Sequence, residues 1–348
     1  MRLGDASGVV GYRLRNLMAN LLPSRTSLMV AAARALGSRE PDESVRNPDY
    51  LADRLLGPEE RVLIKEHPLS EALGKPYEEG RADPAAFGTT VMMLVRTKFI
   101  DERVRAAVEN GATQMVILGA GFDTRAYRFA ELLKGKRVFE VDSEATQSYK
   151  RRRAPEALGD PPANLTYVTI DFNRDKLGDV LRKAGYKPEE KTVFTWEGVS
   201  MYVAAEGVRE TLRTIATEAA PGSVLIMDYT TEGVLEFMQK FPSMGPVSML
   251  KAWGEPWVFG VPDTEQAEFF AELGLDMAEK LPMYGPDSAK RYLTRADGTI
   301  FGRPTGATNP PPQAGQVQPE VQAAILALGA KTGGSWYTVA EFRVRGAA

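Results

Sequence analysis

The chain has 348 residues, of which 43% are apolar and 26% charged, the profile of an ordinary folded protein with enough length for a sizeable core. A formal net charge of −3 gives no field to gather nucleic acid, and the absence of cysteine excludes disulfides, thiolate zinc sites and cysteine nucleophiles. The single histidine, His67, would have to carry any Ser/His/Asp hydrolase alone, yet it lies in the polar stretch EHPLS and reads as a surface or capping residue.

The opening stretch MRLGDASGVVGYRLRNLM has no apolar run of signal-peptide length. No segment approaches the roughly 20 apolar residues that cross a bilayer, so the expected location is the cytoplasm, with no membrane partner. Residues 1–108 read as a helical cap. A first helix over 27–36 is rich in helix formers and should stop at Gly37, with further helical stretches near 49–67 and 85–109. The remainder, 109–348, reads as a core. Short apolar runs at 115–118, 138–141, 165–170, 192–196 and 223–227 each precede a helical segment. That alternation predicts an α/β fold, with a mostly parallel sheet and helices on both faces, because parallel strands need long crossovers. Beyond 231 the pattern loosens, and inserted lid segments are expected around 231–262 and 300–325. A helix near 263–273 should stop at Gly274 before a strand at 275–281, and the alternating run 335–344 reads as a last strand, antiparallel at or near an edge.

Parallel sheets bind ligands beyond the carboxyl ends of their strands, which makes the residues at those ends the candidates. The run VILGAGFDTR places Gly119 and Gly121 in a tight turn after a buried strand, where a missing Cβ admits a ligand to the backbone or simply relieves crowding. Thr124 stands where a dinucleotide fingerprint would have its third glycine, which weakens a nicotinamide reading. Asp142 ends the next strand and could accept two hydrogen bonds from a ribose; the alternative is helix capping by Asp142 or Ser143. Asp171 and Phe172 follow the third strand, where the acid could accept from an adenine amino group and the ring cover its face, or be a loop acid and a core aromatic. In the run WEGVSMY after the fourth strand, Glu197 and Tyr202 lie near the expected site of group transfer, or else cap a helix and fill the core. Arg96, in RTKFID, could hold a ligand carboxylate through two parallel hydrogen bonds, whereas Lys98 and the basic run at 150–153 read as solvated helix faces. Four successive strand tips thus offer the polar groups an adenosyl amino acid requires.

The motifs RTKFID, VILGAGFDTRAYR, VFEVD, DFNRD, WEGVSMYV and the terminal aromatic strand, in this order, resemble the leucine carboxyl methyltransferase-like S-adenosylmethionine-dependent methyltransferases, especially their bacterial branch. The resemblance is close over about 90–230 and looser at NPDYLADRLLGP and GEPWVFG. It implies a class I methyltransferase fold, Rossmann-like and seven-stranded, with S-adenosyl-L-methionine as cofactor. It further implies that Arg96 holds the cofactor carboxylate, that Gly119 and Gly121 let the methionine part approach, and that Asp142 binds the ribose. Asp171 and Phe172 would contact adenine, Glu197 the methionine amino group, and Tyr202 would stand nearest the acceptor. The protein-phosphatase members use an N-terminal lysine whose counterpart has no clear place here, so a protein acceptor is not carried over.

A carboxylate acceptor is ionised at pH 7 and needs no base, which suits a chain so poor in histidine. A phenol or alcohol would need one, with Tyr202, Glu197 or His67 to serve. O-methylation of a carboxylate on a small molecule or peptide is therefore expected ahead of hydroxyl methylation, with a nicotinamide-dependent oxidoreductase and a non-catalytic adenosyl-binding protein as rivals. No metal is expected. Met92, Met93, Met201 and Met244, with neighbouring aromatics, hint at an apolar acceptor, although core packing explains such residues equally well. The sequence sets no oligomeric state.

Overall fold

In the computed structural model, residues 22–242, 247–302, 319–332 and 336–345 are described. The first described helix, α1 (Arg25–Ser38), buries Ala31, Ala32, Ala33 and Ala35 completely, so small side chains let neighbouring elements come close on several sides. Ser24 caps it, its hydroxyl accepting from the Ser27 amide. The helix runs through Gly37 rather than stopping there, a correction to the expected end. A Cβ at Gly37 would stand 3.1 Å from both Asn47 and Thr90, so this glycine serves close packing inside a helix. The stretch expected to be helical over 49–67 is broken into Ala52–Leu55 and Pro58–Leu63, because Pro58 starts a new first turn and offers no amide to the preceding one. His67 is buried and caps the following turn, its Nδ1 accepting from the Leu69 amide at 3.2 Å; burial lowers its pKa.

Helix α2 (Pro84–Glu109) is the longest, with Asp83 capping it through the Ala85 and Ala86 amides. It carries apolar residues into two cores. Met93 joins α1 and the short helices, while Val95, Phe99 and Val104 lie on the sheet.

The sheet has seven strands, β1 (Gln114–Leu118), β2 (Arg137–Asp142), β3 (Leu165–Thr169), β4 (Thr192–Trp196), β5 (Val224–Tyr229), β6 (Leu275–Pro282) and β7 (Thr338–Val344). Their spatial order is β3-β2-β1-β4-β5-β7-β6, with β1 to β5 mutually parallel and β7 antiparallel to both neighbours. The last strand therefore sits one place in from the edge, as the alternation predicts. This is the seven-stranded class I methyltransferase architecture, in which the chain's order reverses between β1 and β4 and leaves a crevice at their tips. Side chains alternate between faces: Val116, Phe139, Phe194 and Leu225 pack under the helices α4 (Leu177–Lys183) and α5 (Ala205–Glu218), while Met115, Val138, Val193 and Ile226 pack under α2. Helix α3 (Glu144–Leu158) follows β2. The basic run 150–153 lies on it, but only in part as a solvated face. Lys150 is 1% exposed, pairs with the equally buried Glu140 at 2.7 Å and donates to the Asp123 carbonyl at 2.6 Å.

After β5, helix α6 (Glu232–Lys240) opens an excursion that returns at Val261, where a parallel bridge to Thr231 closes its base. Part of the first expected lid, including Met244, and most of the second lie outside the described residues. Helix 319–332 packs Leu328 against Val234, Phe237 and Met238 of α6. Met93 and Met201 are core residues, each 1% exposed, so they supply no apolar acceptor surface. No described helix is long and apolar enough to cross a membrane.

Candidate active site

Because β3, β2, β1 and β4 are hydrogen-bonded neighbours in register, with Leu118 opposite both Val141 and Trp196 and Asp142 opposite Thr169, their tips form one continuous edge. Asp142, Asp171 with Phe172, the Gly119–Gly121 turn and Glu197 all stand on it. Arg96 reaches the same edge from α2 and is 1% exposed, whereas Lys98 points away and ties its ammonium to the Ser44 carbonyl.

The turn after β1 has two residues at positive φ, Gly119 at 62° and Gly121 at 46°. A Cβ on Gly119 would lie 2.2 Å from Cγ2 of Val199, and one on Gly121 would lie 3.0 Å from Cβ of Ser27. Both glycines are therefore required by the chain's own packing. Gly119→Ala is expected to cost about 1–3 kcal/mol, from overpacking and an unfavourable φ together, read as a lower thermal midpoint. Val199→Ala in the same chain should return part of it, and a Gly119→Ala protein melting like wild type would refute the contact.

Asp142 does not cap α3, whose N-cap residue Ser143 makes no side-chain cap bond. Its carboxylate accepts from the Gly121 amide and, at 2.6 Å, from the Ser143 amide, which joins the two strand tips. Burial raises its pKa against the pull of those amides. Asp171 is exposed and folds back on its own turn, its Oδ1 accepting from Asn173 N at 3.0 Å. Phe172 packs beside Trp196 with ring centroids 6.0 Å apart.

Glu197 is gripped from two sides. Arg125 Nη1 donates to Oε2 at 2.6 Å, and Arg96 Nε lies 2.9 Å from Oε1 without hydrogen-bond geometry. Burial alone would raise its pKa, but the two guanidinium groups outweigh that and hold it well below the usual carboxylate range. It is neither a helix cap nor a base at neutral pH. Arg96 Nη1 donates to Asp228 Oδ2 at 2.7 Å, and Asp228 also accepts from the Gly198 amide at 2.6 Å. Arg96 Nη2 and Glu197 Oε1 are buried without hydrogen-bond partners among the described residues. A buried donor and a buried acceptor without hydrogen bonds, on two ion-paired residues, fit an amino-acid head group, whose carboxylate and ammonium complement them.

These residues belong to a larger buried ion chain that sequence reading misses. It runs Arg34, Asp49, Arg128, Asp101, Arg125, Glu197, Arg96 and Asp228, with Asp123 branching from Arg125, and none of the nine side chains is more than 10% exposed. Seven of its members lie in the quoted motifs (Asp49 in NPDYLADRLLGP, Arg96 and Asp101 in RTKFID, Asp123, Arg125 and Arg128 in FDTRAYR, Glu197 in WEGVSMYV), so a signal existed although their pairing did not show. Asp228 is the penultimate residue of β5, and the strand-tip rule extended by one strand would have found it.

Tyr202 follows β4 in a short 3-10 turn and meets Trp257 edge to face, with centroids 6.5 Å apart; Trp257 in turn stacks on Tyr337 at 5.8 Å. Burial pushes the Tyr202 phenol up to about 12. The excursion closes over this corner. Met201 O accepts from the Val258 and Phe259 amides, and the Glu255 carboxylate caps α1, accepting from Arg25 N at 2.7 Å, Thr26 N at 3.1 Å and Ser24 Oγ at 3.0 Å. Among the described residues no group of acids and histidine could hold a metal ion.

The sequence profile described as "Leucine carboxyl methyltransferase" matches residues 27–216. A Mycolicibacterium smegmatis protein, provisionally described as an S-adenosyl-L-methionine-dependent methyltransferase, is 35% identical over 60% of this chain and 68% of its own length. Bacillus subtilis YktD, described in the same provisional terms, is 33% identical over 67% of this chain and 80% of its own. A solved structure from Thermobifida fusca, provisionally a methyltransferase, is 17% identical with a TM-score of 0.47 over 89% of this chain and 97% of that one. The profile match spans more than half the chain and takes in every motif from RTKFID to WEGVSMYV, so the protein belongs to the leucine carboxyl methyltransferase family of S-adenosylmethionine-dependent methyltransferases.

Proposed function

We propose that this enzyme O-methylates a carboxylate on a small molecule or peptide, with residues 1–108 as a helical cap on a cofactor-binding core, and 231–262 and 300–325 as lid segments. The observation that carries the cofactor placement is the pair of buried atoms without hydrogen bonds, Arg96 Nη2 and Glu197 Oε1, on residues that meet at one edge of the sheet. Arg96 would take the carboxylate of the cofactor and Glu197 its ammonium. Asp142 would accept from the ribose while staying tied to the Gly121 amide. Asp171 and Phe172 would border adenine, and Gly119 and Gly121 would set the backbone against the methionine part. S-adenosylmethionine, when bound, supplies a methyl group on a sulfonium that any well-aligned oxygen nucleophile can displace.

What remains for the protein is alignment and exclusion of water. A carboxylate acceptor arrives ionised, so a phenol raised to about 12 by burial can stay protonated and orient it. Tyr202 therefore reads as an acceptor-positioning hydrogen-bond donor. The reaction is tested with methyl-labelled cofactor and a panel of carboxylic acids and phenols. A methyl ester releases labelled methanol in alkali, whereas a methyl ether does not. Alkali-stable product alone would sink the carboxylate reading.

Tyr202→Phe is expected to raise KM for the acceptor about tenfold while leaving the pH profile of kcat flat between about pH 6.5 and 9, because no group there has to lose a proton. A kcat that climbs with pH in the wild type and loses that slope in Tyr202→Phe would make the residue a base instead.

A further inference from the structure

Among the described residues the buried ion chain does not balance. It contains four guanidinium groups, of Arg34, Arg96, Arg125 and Arg128, against five carboxylates, of Asp49, Asp101, Asp123, Glu197 and Asp228. Burial pushes the neighbouring Glu140 carboxyl up to about 7, so its pair with Lys150 adds at most one positive charge at neutral pH and does not reverse the surplus. Asp142, at the rim, accepts from two backbone amides and joins no ion pair among the described residues, so it adds a further negative charge. A charge surplus enclosed in low dielectric is costly and weakly screened by salt, so a ligand that neutralises it gains where a neutral one does not.

We infer that this surplus of negative charge makes the site select ligands by net charge: it favours the sulfonium form of the cofactor over the thioether product, and it delays a carboxylate acceptor until the cofactor is in place. The inference rests on the proposed placement of the cofactor at these strand tips. S-adenosylmethionine carries one carboxylate, one ammonium and one sulfonium, a net charge of +1. Transfer joins the methyl carbon to a carboxylate oxygen and breaks its bond to sulfur, the bonding pair staying on sulfur. The cation and the anion disappear together into an ester and a thioether, and S-adenosylhomocysteine is left with no net charge. The site is then left with its full surplus again. Arg96 and Glu197 would hold the amino-acid group in both ligands, so they grip without discriminating; the unbalanced carboxylates supply the difference. A negative acceptor meets stronger repulsion at the empty site than it does once the cofactor's positive charge has offset part of the surplus, which orders binding.

Calorimetry on the full chain with three probes tests this at fixed pH and ionic strength: S-adenosylmethionine, S-adenosylhomocysteine, and sinefungin, whose protonated amine gives the same net charge as the sulfonium. The two cations should bind at least about tenfold tighter than S-adenosylhomocysteine, ~1.4 kcal/mol. Asp123→Asn and Asp142→Asn, each shown to be folded by its thermal melt, should bring that ratio within about threefold, whatever each does to affinity as a whole. Equal or tighter binding of S-adenosylhomocysteine by the wild type overturns the inference, as does a ratio unchanged in both variants. Failure of all three ligands to bind would instead sink the cofactor placement on which it stands.

Discussion

Arg125→Met is expected to destabilise the protein by about 3–5 kcal/mol, read as a fall in the urea midpoint at unchanged slope. The guanidinium is 3% exposed and touches three carboxylates: Asp101 at 2.7 Å, Glu197 at 2.6 Å, and Asp123. Methionine fills much of the same volume, so the loss measures charge and hydrogen bonding rather than a cavity. Three acids would remain in a region that cannot readily hydrate them. Their contacts come from α2, the β1 turn and the β4 tip, so the loss spreads across the elements that shape the site. A variant with an unchanged midpoint would mean that water already reaches this chain. Arg125→Lys should fall between the two, since one ammonium cannot satisfy the fork of bonds to Asp101 and Glu197 together.

The architecture was legible because it depends on local period. Apolar runs alternating with helices give a parallel sheet, and strands 192–196 and 275–281 needed little correction. Errors arose where tertiary contact overrides local preference. Gly37 lies inside a helix, where its missing Cβ leaves room for Asn47 and Thr90, and Lys150 goes inside to pair with Glu140. Neither partner is near in sequence. The candidate site shows the same division. Strand-tip reasoning placed Asp142 and Glu197 on one edge, since that follows from topology. It could not show that Glu197 would lie between two arginines, because Arg96 and Arg125 come from separate elements that only the folded chain brings together. The latch of Glu255 on the amides of α1 was equally out of reach, for 255 and 25 are joined only in space.

Arg96→Ala is expected to weaken S-adenosylmethionine about 100-fold, ~2.7 kcal/mol, while changing the affinity for 5′-methylthioadenosine by less than about threefold. The two ligands share adenine, ribose and sulfur and differ in the amino-acid part and in the charge on sulfur, so S-adenosylhomocysteine, a thioether like 5′-methylthioadenosine, should lose as much and isolates the group that Arg96 Nη2 would hold. The loss should exceed that of an ordinary hydrogen bond for two reasons. Arg96 is 1% exposed, which leaves its bond to an anion unscreened, and it also anchors Glu197 and Asp228, which would drift and repel once it is gone. Arg96→Lys keeps the charge but offers one point of contact in place of a planar fork, and should recover only part of the affinity. Should both ligands weaken equally, Arg96 would be shaping the whole pocket rather than reading a carboxylate, and the amino-acid end of the cofactor would have to lie elsewhere on the sheet edge.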